Sequence, residues 1–216
     1  MKEMDTSKFV IVTDIIPDIL LDIRYYSSFN FVGKRIDGYE APIALLTKQA
    51  ADALKKANDK AKELGYILKI FDCYRPQMAV DHFVRWAEDV DDIKTKKYFY
   101  PELDKSSLFE LGYIASKSSH TRGSTVDLTL FDMKTQKDID TGGTFDFFGK
   151  ISWAENKENI TTIQADNRKL LRDIMIDAGF KPLKEEWWHF TLADEPYPDT
   201  YFNFPIKLWK IDTIYH

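Results

Sequence analysis

Two histidines of this 216-residue chain lie in segments that also contain a carboxylate residue. Imidazole and carboxylate groups are both potential zinc ligands. In SSHTRGSTVDLTL, His120 precedes Asp127 by seven residues. Residues seven apart on an unbroken strand face opposite sides, but Gly123 allows the chain to bend between them. A catalytic zinc takes three protein ligands and keeps one position open. The pair suggests such a site, although a histidine beside a bend is more often a hydrogen-bonded residue of the core or surface.

The second segment, EEWWHF, contains Glu186 three positions before His189. In zinc hydrolases a carboxylate accepts a proton from the water that the metal activates, and glutamate often has this role. On a regular strand the two side chains would face opposite ways. We therefore expect Glu186 in the loop before the strand or at a bulge. The alternative is that the aromatic residues are core and that His189 satisfies a buried hydrogen bond.

The third segment is FDCYRPQ, in which Arg75 follows a predicted buried strand and precedes Pro76. A proline-fixed loop at a strand end holds a guanidinium rigidly, and arginine stabilises a developing oxyanion or binds a carboxylate. A structural salt bridge is the alternative. Together the segments predict a complete zinc hydrolase site. Its members are His120, Asp127 and His189 as ligands, Glu186 as base and Arg75 as electrophile.

The remaining metal-binding residue types are few. Cys73 is the one cysteine, which excludes an intramolecular disulfide and a thiolate-rich zinc cluster. His82 lies in a predicted helix beside its apolar stripe, and His216 is the last residue, where chain ends usually fray. We expect replacement of either histidine to leave zinc in place.

The hydrophobic pattern predicts three helices, at about 47–64, 76–87 and 166–178. Thr47 is expected to cap the first and Gly65 to end it; Asp166 and Gly179 are expected to do the same for the third.

Strands are predicted at 66–71, from Ser124 onward and at 187–192, with a long irregular insertion at 132–165 between the last two. Val126, Leu128 and Leu130 alternate along the second strand, so Asp127 should point to its other face. The combination of helices and short strands predicts an α+β fold, with an antiparallel sheet and helices packed mainly on one side of it. We expect a single domain over residues 1–216, with the zinc site at the sheet.

Composition narrows the possible functions. A mass of 25.2 kDa suits a single domain. The net charge of −5 argues against a nucleic-acid partner. The apolar run Phe9–Val12 is too short for a signal-peptide core, and no stretch approaches the ~20 apolar residues of a membrane span. We expect a cytoplasmic protein with no membrane partner; a periplasmic or exported location stays open if the natural chain has a signal peptide.

The segments SKSSHTRGSTVDLTL, EEWWHF and YRP resemble the VanX-type D-alanyl-D-alanine dipeptidases, zinc peptidases related to peptidoglycan DD-carboxypeptidases. RYYSSFNFVGKRIDGYE, FDFF and WWHFTLADEPYPDTYFNFP are similar too, so the resemblance covers most of the chain. The segment from Asp146 to Asp166 and the tail LWKIDTIYH are less similar.

The resemblance implies one zinc ion per chain and hydrolysis of free D-Ala-D-Ala, in glycopeptide resistance or in D-alanine salvage. It implies the same ligands, base and arginine as above. It also implies that the dipeptide pocket is lined by Tyr25, Ser118, Ser119 and Asp146, with Asp146 pairing with the substrate ammonium.

Two other functions compete with this interpretation. A zinc DD- or LD-carboxypeptidase acting on peptidoglycan stem peptides would use the same ligands in a more open cleft. A non-catalytic zinc-binding module would keep the ligands for stability or partner binding. The presence of both Glu186 and Arg75 disfavours the module, because a structural zinc site needs neither.

Overall fold

The structure, a computed structural model, describes residues 6–208, which contain eight short strands and five α-helices. The strands are β1 (Phe9–Ile11), β2 (Leu20–Leu21), β3 (Leu45–Thr47), β4 (Tyr66–Asp72), β5 (Thr125–Asp132), β6 (Lys137–Asp138), β7 (Phe180–Pro182) and β8 (His189–Leu192). The α-helices are α1 (Val12–Ile15), α2 (Lys48–Glu63), α3 (Gln77–Glu88), α4 (Lys96–Phe99) and α5 (Thr162–Asp177). Short 3-10 helices lie at Thr6–Lys8, Lys105–Ser107, Ser119–Arg122 and Lys150–Ser152.

The main sheet has the order β2-β4-β5-β8-β7, and β6 pairs with β5. Its pairs are antiparallel apart from the parallel pair β2–β4, and β1 and β3 form a separate antiparallel ribbon. Helix α2 packs on β4, α5 packs on β7, and the two helices contact each other. The α+β prediction, with helices mainly on one side of an antiparallel sheet, is confirmed.

Helix α2 forms as its sequence predicts. The Thr47 hydroxyl accepts a hydrogen bond from the backbone N–H of Ala50, and Gly65 has the left-handed φ of +89° that ends the helix. Leu64, expected to continue the apolar stripe, caps the C-terminus and is exposed. The rest of the predicted stripe is buried, namely Ala50, Leu54, Ala57 and Ala61.

Helix α5 begins earlier than the sequence interpretation placed it, so the prediction of Asp166 as its N-cap is wrong. Thr161 caps the helix in a capping box: its hydroxyl accepts from the N–H of Gln164, whose side chain accepts from the N–H of Thr161. Asp166 therefore lies inside the helix, while Gly179 follows its end at φ +96° as predicted.

Two further boundaries shift by a residue or two. The second helix starts at Gln77, because Pro76 is its N-cap. The aromatic strand predicted at 187–192 starts at His189 as β8, and this leaves the two tryptophans in the preceding loop. The C-terminal segment 193–205 contains no helix, as its prolines predict.

The register of the three central strands decides which side chains meet. Asp127 on β5 lies opposite Asp72 on β4 and opposite His189 on β8. Residues directly opposite in an antiparallel pair project from the same face of a sheet. Since Val126 and Leu128 project from the other face into the core, the sheet presents three titratable side chains together on the face that Asp127 was predicted to occupy.

Candidate active site

The three predicted ligand residues meet at this face of the sheet. Nε2 of His120 lies 3.1 Å from Oδ2 of Asp127, and Nδ1 of His189 lies 3.1 Å from Oδ1 of the same carboxylate. One ligand atom from each residue falls within 4.8 Å of the others, and within residues 6–208 this is the one group of three potential ligands that is so close.

A tight bend delivers His120 to the site. The Ser118 hydroxyl caps the 3-10 helix Ser119–Arg122, and Gly123 ends it at φ +82°. This confirms the bend that the sequence required between His120 and Asp127. Nδ1 of His120 donates to the carbonyl oxygen of Cys73 at 2.7 Å, which leaves the Nε2 lone pair directed at the site.

Glu186 lies in the loop before β8, one of the two positions expected from the sequence. From this loop its side chain reaches the face of the sheet that carries His189. The backbone N–H of His189 donates to the carbonyl of Glu186 at 3.3 Å, and Oε2 of Glu186 is 3.4 Å from Nδ1 of His189. Burial raises the pKa of Glu186, which brings it closer to the value of an effective general base at neutral pH.

The donor set fits a zinc ion. Nε2 of His120 and Oδ1 of Asp127 are buried and make no hydrogen bond in the described part of the chain, although buried polar atoms are normally paired. Burial lowers the pKa of His120, so its imidazole is neutral. Burial alone would raise the pKa of Asp127, but the two imidazoles outweigh it and hold this pKa well below its usual range. Neutral imidazole and ionised carboxylate are the forms that bind zinc. Burial alone would lower the pKa of His189, but Asp127 and Glu186 raise it, so zinc would displace a proton from this imidazole.

Arg75 is both part of a salt bridge and part of the site. Its Nε and Nη2 both lie 3.0 Å from Oδ2 of Asp72, and its Nη2 is 3.7 Å from Oδ2 of Asp127. The guanidinium packs over the rings of Tyr25 and Phe83, at 5.0 and 5.2 Å from their centroids. A structural salt bridge and a role as electrophile, the two alternatives considered from the sequence, are therefore compatible.

These groups open into a cavity of about 220 Å³. In the same cavity the Tyr25 hydroxyl donates to Oδ2 of Asp146 at 2.7 Å. Burial raises the pKa of Asp146 well above its usual value. Tyr25, Ser118 and Asp146 line the cavity as predicted, but Ser119 does not. The Ser119 hydroxyl instead lies 3.3 Å from Nε2 of His189.

Sequence reasoning missed two residues next to the site, Asp72 and Tyr39. Asp72 accepts from the Tyr39 hydroxyl at 2.6 Å through the oxygen that does not contact Arg75. Its position three residues before Arg75, at the end of a predicted strand, was the available signal. His82 is packed away from the ligand group, with Nδ1 accepting from the N–H of Asp37. His216 lies outside the described residues.

The site combines two imidazoles and a carboxylate with a glutamate and an arginine, at one face of the sheet of an α+β fold. This set of groups is typical of a metallohydrolase. The family model described as D-Ala-D-Ala dipeptidase, of peptidase family M15, matches residues 5–207, and the chain belongs to this family. It is a metallopeptidase whose cofactor is zinc. No helix within residues 6–208 has the length and apolar character needed to cross a bilayer.

Three relatives share most of their length with this chain, and each is named D-alanyl-D-alanine dipeptidase. The protein of Enterococcus faecalis is 44% identical over 199 residues, 92% of this chain and 98% of the relative. That of Streptomyces coelicolor is 42% identical over 201 residues, 93% and 99% of the two chains. That of Enterococcus faecium is 41% identical over 199 residues, 92% and 98%.

Proposed function

We propose that the protein is a dipeptidase that hydrolyses D-alanyl-D-alanine to two D-alanines. The observation that carries this proposal is that one small cavity is lined by the candidate ligand group, Glu186 and Arg75 together with the buried carboxyl group of Asp146. The names of the relatives support the choice of D-alanine.

The chemistry is divided among a few groups. His120, Asp127 and His189 would hold the zinc ion, which would supply Lewis acidity at the scissile carbonyl and would make water more acidic. Glu186 takes the proton of the attacking water and later gives it to the leaving amine. Arg75, kept charged beside two carboxylates, stabilises the developing oxyanion.

Recognition of the substrate falls to the Tyr25–Asp146 pair in the same cavity. Asp146 pairs with the ammonium group of the dipeptide, and Tyr25 holds the Asp146 carboxylate in place. Ser118 lies at the wall near Arg75. A volume of about 220 Å³ is below the ~300–1,000 Å³ of cavities for drug-sized ligands, which favours a free dipeptide over a longer peptide.

The proposal extends to the whole chain: one zinc dipeptidase domain over residues 1–216 with one zinc ion and a small-molecule substrate. A cytoplasmic location is part of it, because a dipeptide precursor of the wall is made there. Cell fractionation with an antibody to the native protein tests the location.

Kinetics with D-Ala-D-Ala and L-Ala-L-Ala, each with and without a zinc chelator, test the function. We expect turnover of the D,D-dipeptide, far weaker turnover of the L,L-dipeptide, and loss of both on chelation with recovery on zinc addition. Zinc-loaded protein that leaves D-Ala-D-Ala intact would contradict the proposal.

One observation favours a carboxypeptidase as the second candidate. A groove of about 770 Å³ adjoins the cavity and shares Tyr113, Phe148, Leu183 and Glu186 with it. Such a groove could hold the rest of a stem peptide. An acylated pentapeptide ending in D-Ala-D-Ala, assayed beside the free dipeptide, separates the two functions, because a carboxypeptidase would prefer the pentapeptide.

A further inference from the structure

Arg168 on α5 is a buried arginine with no acidic partner. Only 2% of its surface is exposed, and among the described residues no carboxylate oxygen lies within 4.0 Å of its nitrogens. Burial lowers its pKa to about 10, so the guanidinium is still protonated at neutral pH. A buried charge is costly unless hydrogen bonds satisfy it, so the contacts of this side chain indicate what it does.

Those contacts join the two ends of one loop. Nε of Arg168 donates to the carbonyl oxygen of Thr141 at 2.7 Å, and Nη1 donates to that of Trp153 at 2.9 Å. We call the intervening residues 142–152 the Asp146 loop. Asn167 also binds the start of this region, through the carbonyl of Asp140. In the described part of the chain, Arg168 is the one side chain on α5 that donates to both ends.

Asp146, near the middle of the Asp146 loop, has a backbone conformation that is uncommon for a residue with a side chain. Asp146 has φ +61°, a left-handed value that non-glycine residues adopt only when the surroundings impose it. Beyond Asp146, the loop is fixed by the N–H of Phe148, which donates to the carbonyl of Phe99 at 2.8 Å. Asp146 therefore lies between the start of the loop at Thr141, which Arg168 binds, and the anchor at Phe148.

The chemistry of arginine suits this position. Its planar guanidinium presents several donors at fixed angles, so one side chain reaches two carbonyls at once, whereas the single ammonium of lysine does so less well. Nη2 makes no hydrogen bond in the described structure and lies 3.4 Å from the point where a Cβ on Gly143 would be. A side chain at position 143 would thus press on the guanidinium.

We propose that Arg168 is a positioning residue for substrate recognition: by joining Thr141 to Trp153 it holds Asp146 where the carboxylate meets the ammonium group of the dipeptide. This inference rests on the proposed function, because the role of Asp146 is part of it. Arg168 itself does not line the cavity. It acts on the strength and selectivity of binding, and it takes no part in the chemical step.

The test compares Arg168→Met and Arg168→Lys with Arg172→Met. Arg172 is one turn further along α5 and pairs with Glu155 just after the loop, so it is a matched control outside the loop ends. For Arg168→Met we expect KM for D-Ala-D-Ala to rise about tenfold or more, since two charge-assisted hydrogen bonds are lost. Zinc content and kcat should change little, Arg168→Lys should be intermediate, and Arg172→Met should resemble the wild type.

A second readout separates positioning from general weakening of the fold. The preference for D-Ala-D-Ala over its N-acetyl derivative, measured as a ratio of kcat/KM values, should fall both in Asp146→Asn and in Arg168→Met. In the Asp146→Asn background, Arg168→Met should cause no further fall. An unchanged ratio with reduced kcat or reduced zinc content would overturn the inference.

A third readout does not depend on the substrate. Lys150 is an exposed trypsin site inside the Asp146 loop. Loss of the Arg168 contacts should speed cleavage after Lys150 about tenfold in native protein, because a freed loop opens more often. If the wild type failed to hydrolyse the dipeptide, the proposed function would fall, and equal cleavage rates in wild type and Arg168→Met would separately reject the loop contact.

Discussion

One oxygen of the Asp72 carboxylate lies 3.0 Å from both Nε and Nη2 of Arg75. The other oxygen accepts the Tyr39 hydroxyl, so the carboxylate is itself fixed. Asp72 thus binds the Nε–Nη2 edge of the guanidinium and fixes the orientation of the group. Nη1 remains on the side of Ser118 and the cavity, at 3.5 Å from the Ser118 hydroxyl.

Asp72→Asn should therefore impair catalysis without removing zinc. A neutral amide neither attracts the guanidinium as strongly nor accepts from it in the same geometry, and we expect kcat/KM to fall about 10–100-fold. Asp22→Asn is the control, because Asp22 pairs with Arg24 away from the ligand group. In a double-mutant cycle Asp72→Asn should add little to Arg75→Lys; fully additive effects would contradict the positioning role.

Removing a proposed ligand should remove the metal. His120→Ala and His189→Ala are expected to retain almost no zinc after dialysis, measured by atomic absorption, because three protein ligands are needed for tight binding. His82→Ala is the buried-histidine control and should keep one zinc per chain, as should His216→Ala. Full occupancy in His120→Ala would exclude His120 as a ligand.

Glu186→Gln tests the role of Glu186 as general base independently of zinc binding. The amide keeps the shape of the side chain but cannot accept a proton, so kcat should fall about 10²–10⁴-fold while zinc remains. The neighbouring Glu185→Gln removes an exposed carboxylate and should be nearly silent. Near-normal turnover by Glu186→Gln would assign the base elsewhere.

Two adjacent serines should give different phenotypes. The Ser119 hydroxyl contacts Nε2 of His189, so Ser119→Ala should weaken zinc affinity about tenfold in a competition with a chromogenic chelator. Ser118 lines the cavity, and Ser118→Ala should act on KM instead. An unaffected zinc affinity in Ser119→Ala would favour the role in substrate binding that the family resemblance implies.

The bend before β5 depends on Gly123. A Cβ there would lie 2.4 Å from a ring carbon of Phe9, and φ is already +82°. We expect Gly123→Ala to lower the free energy of unfolding by about 3 kcal/mol or more, measured by urea denaturation. Gly65→Ala has a similar φ of +89° with open space around its Cβ, so it should cost only about 1 kcal/mol. Equal costs would show that the Phe9 contact has no effect.

The grouping of the candidate ligand residues could be predicted because it depended largely on local sequence. Gly123 marked the bend that brings His120 towards Asp127, and the spacing of Glu186 and His189 required a loop that β8 indeed follows. For Asp72 the local signal was only its position before Arg75, because its place beside Asp127 depends on the pairing of β4 with β5, which are far apart in the chain.

The start of α5 and the role of Arg168 were missed for different reasons. The capping box of Thr161 and Gln164 was visible in the sequence, but the pattern was interrupted by polar residues and the helix was assigned from Asp166. Arg168 carried no signal, because its partners are backbone carbonyls, which every residue has.

The cross-strand register of Asp72, Asp127 and His189 separates the reaction centre from the Asp146 loop. Asp72, Asp127 and His189 lie on neighbouring strands, so the spacing of about 4.7–4.9 Å between their backbones is set by the hydrogen bonds between the strands. Asp146 belongs to a loop, and one side chain, that of Arg168, joins the two ends of this loop. Changes in the loop could thus alter which peptide is accepted, while backbone hydrogen bonds between the strands keep Asp72, Asp127 and His189 at the same spacing.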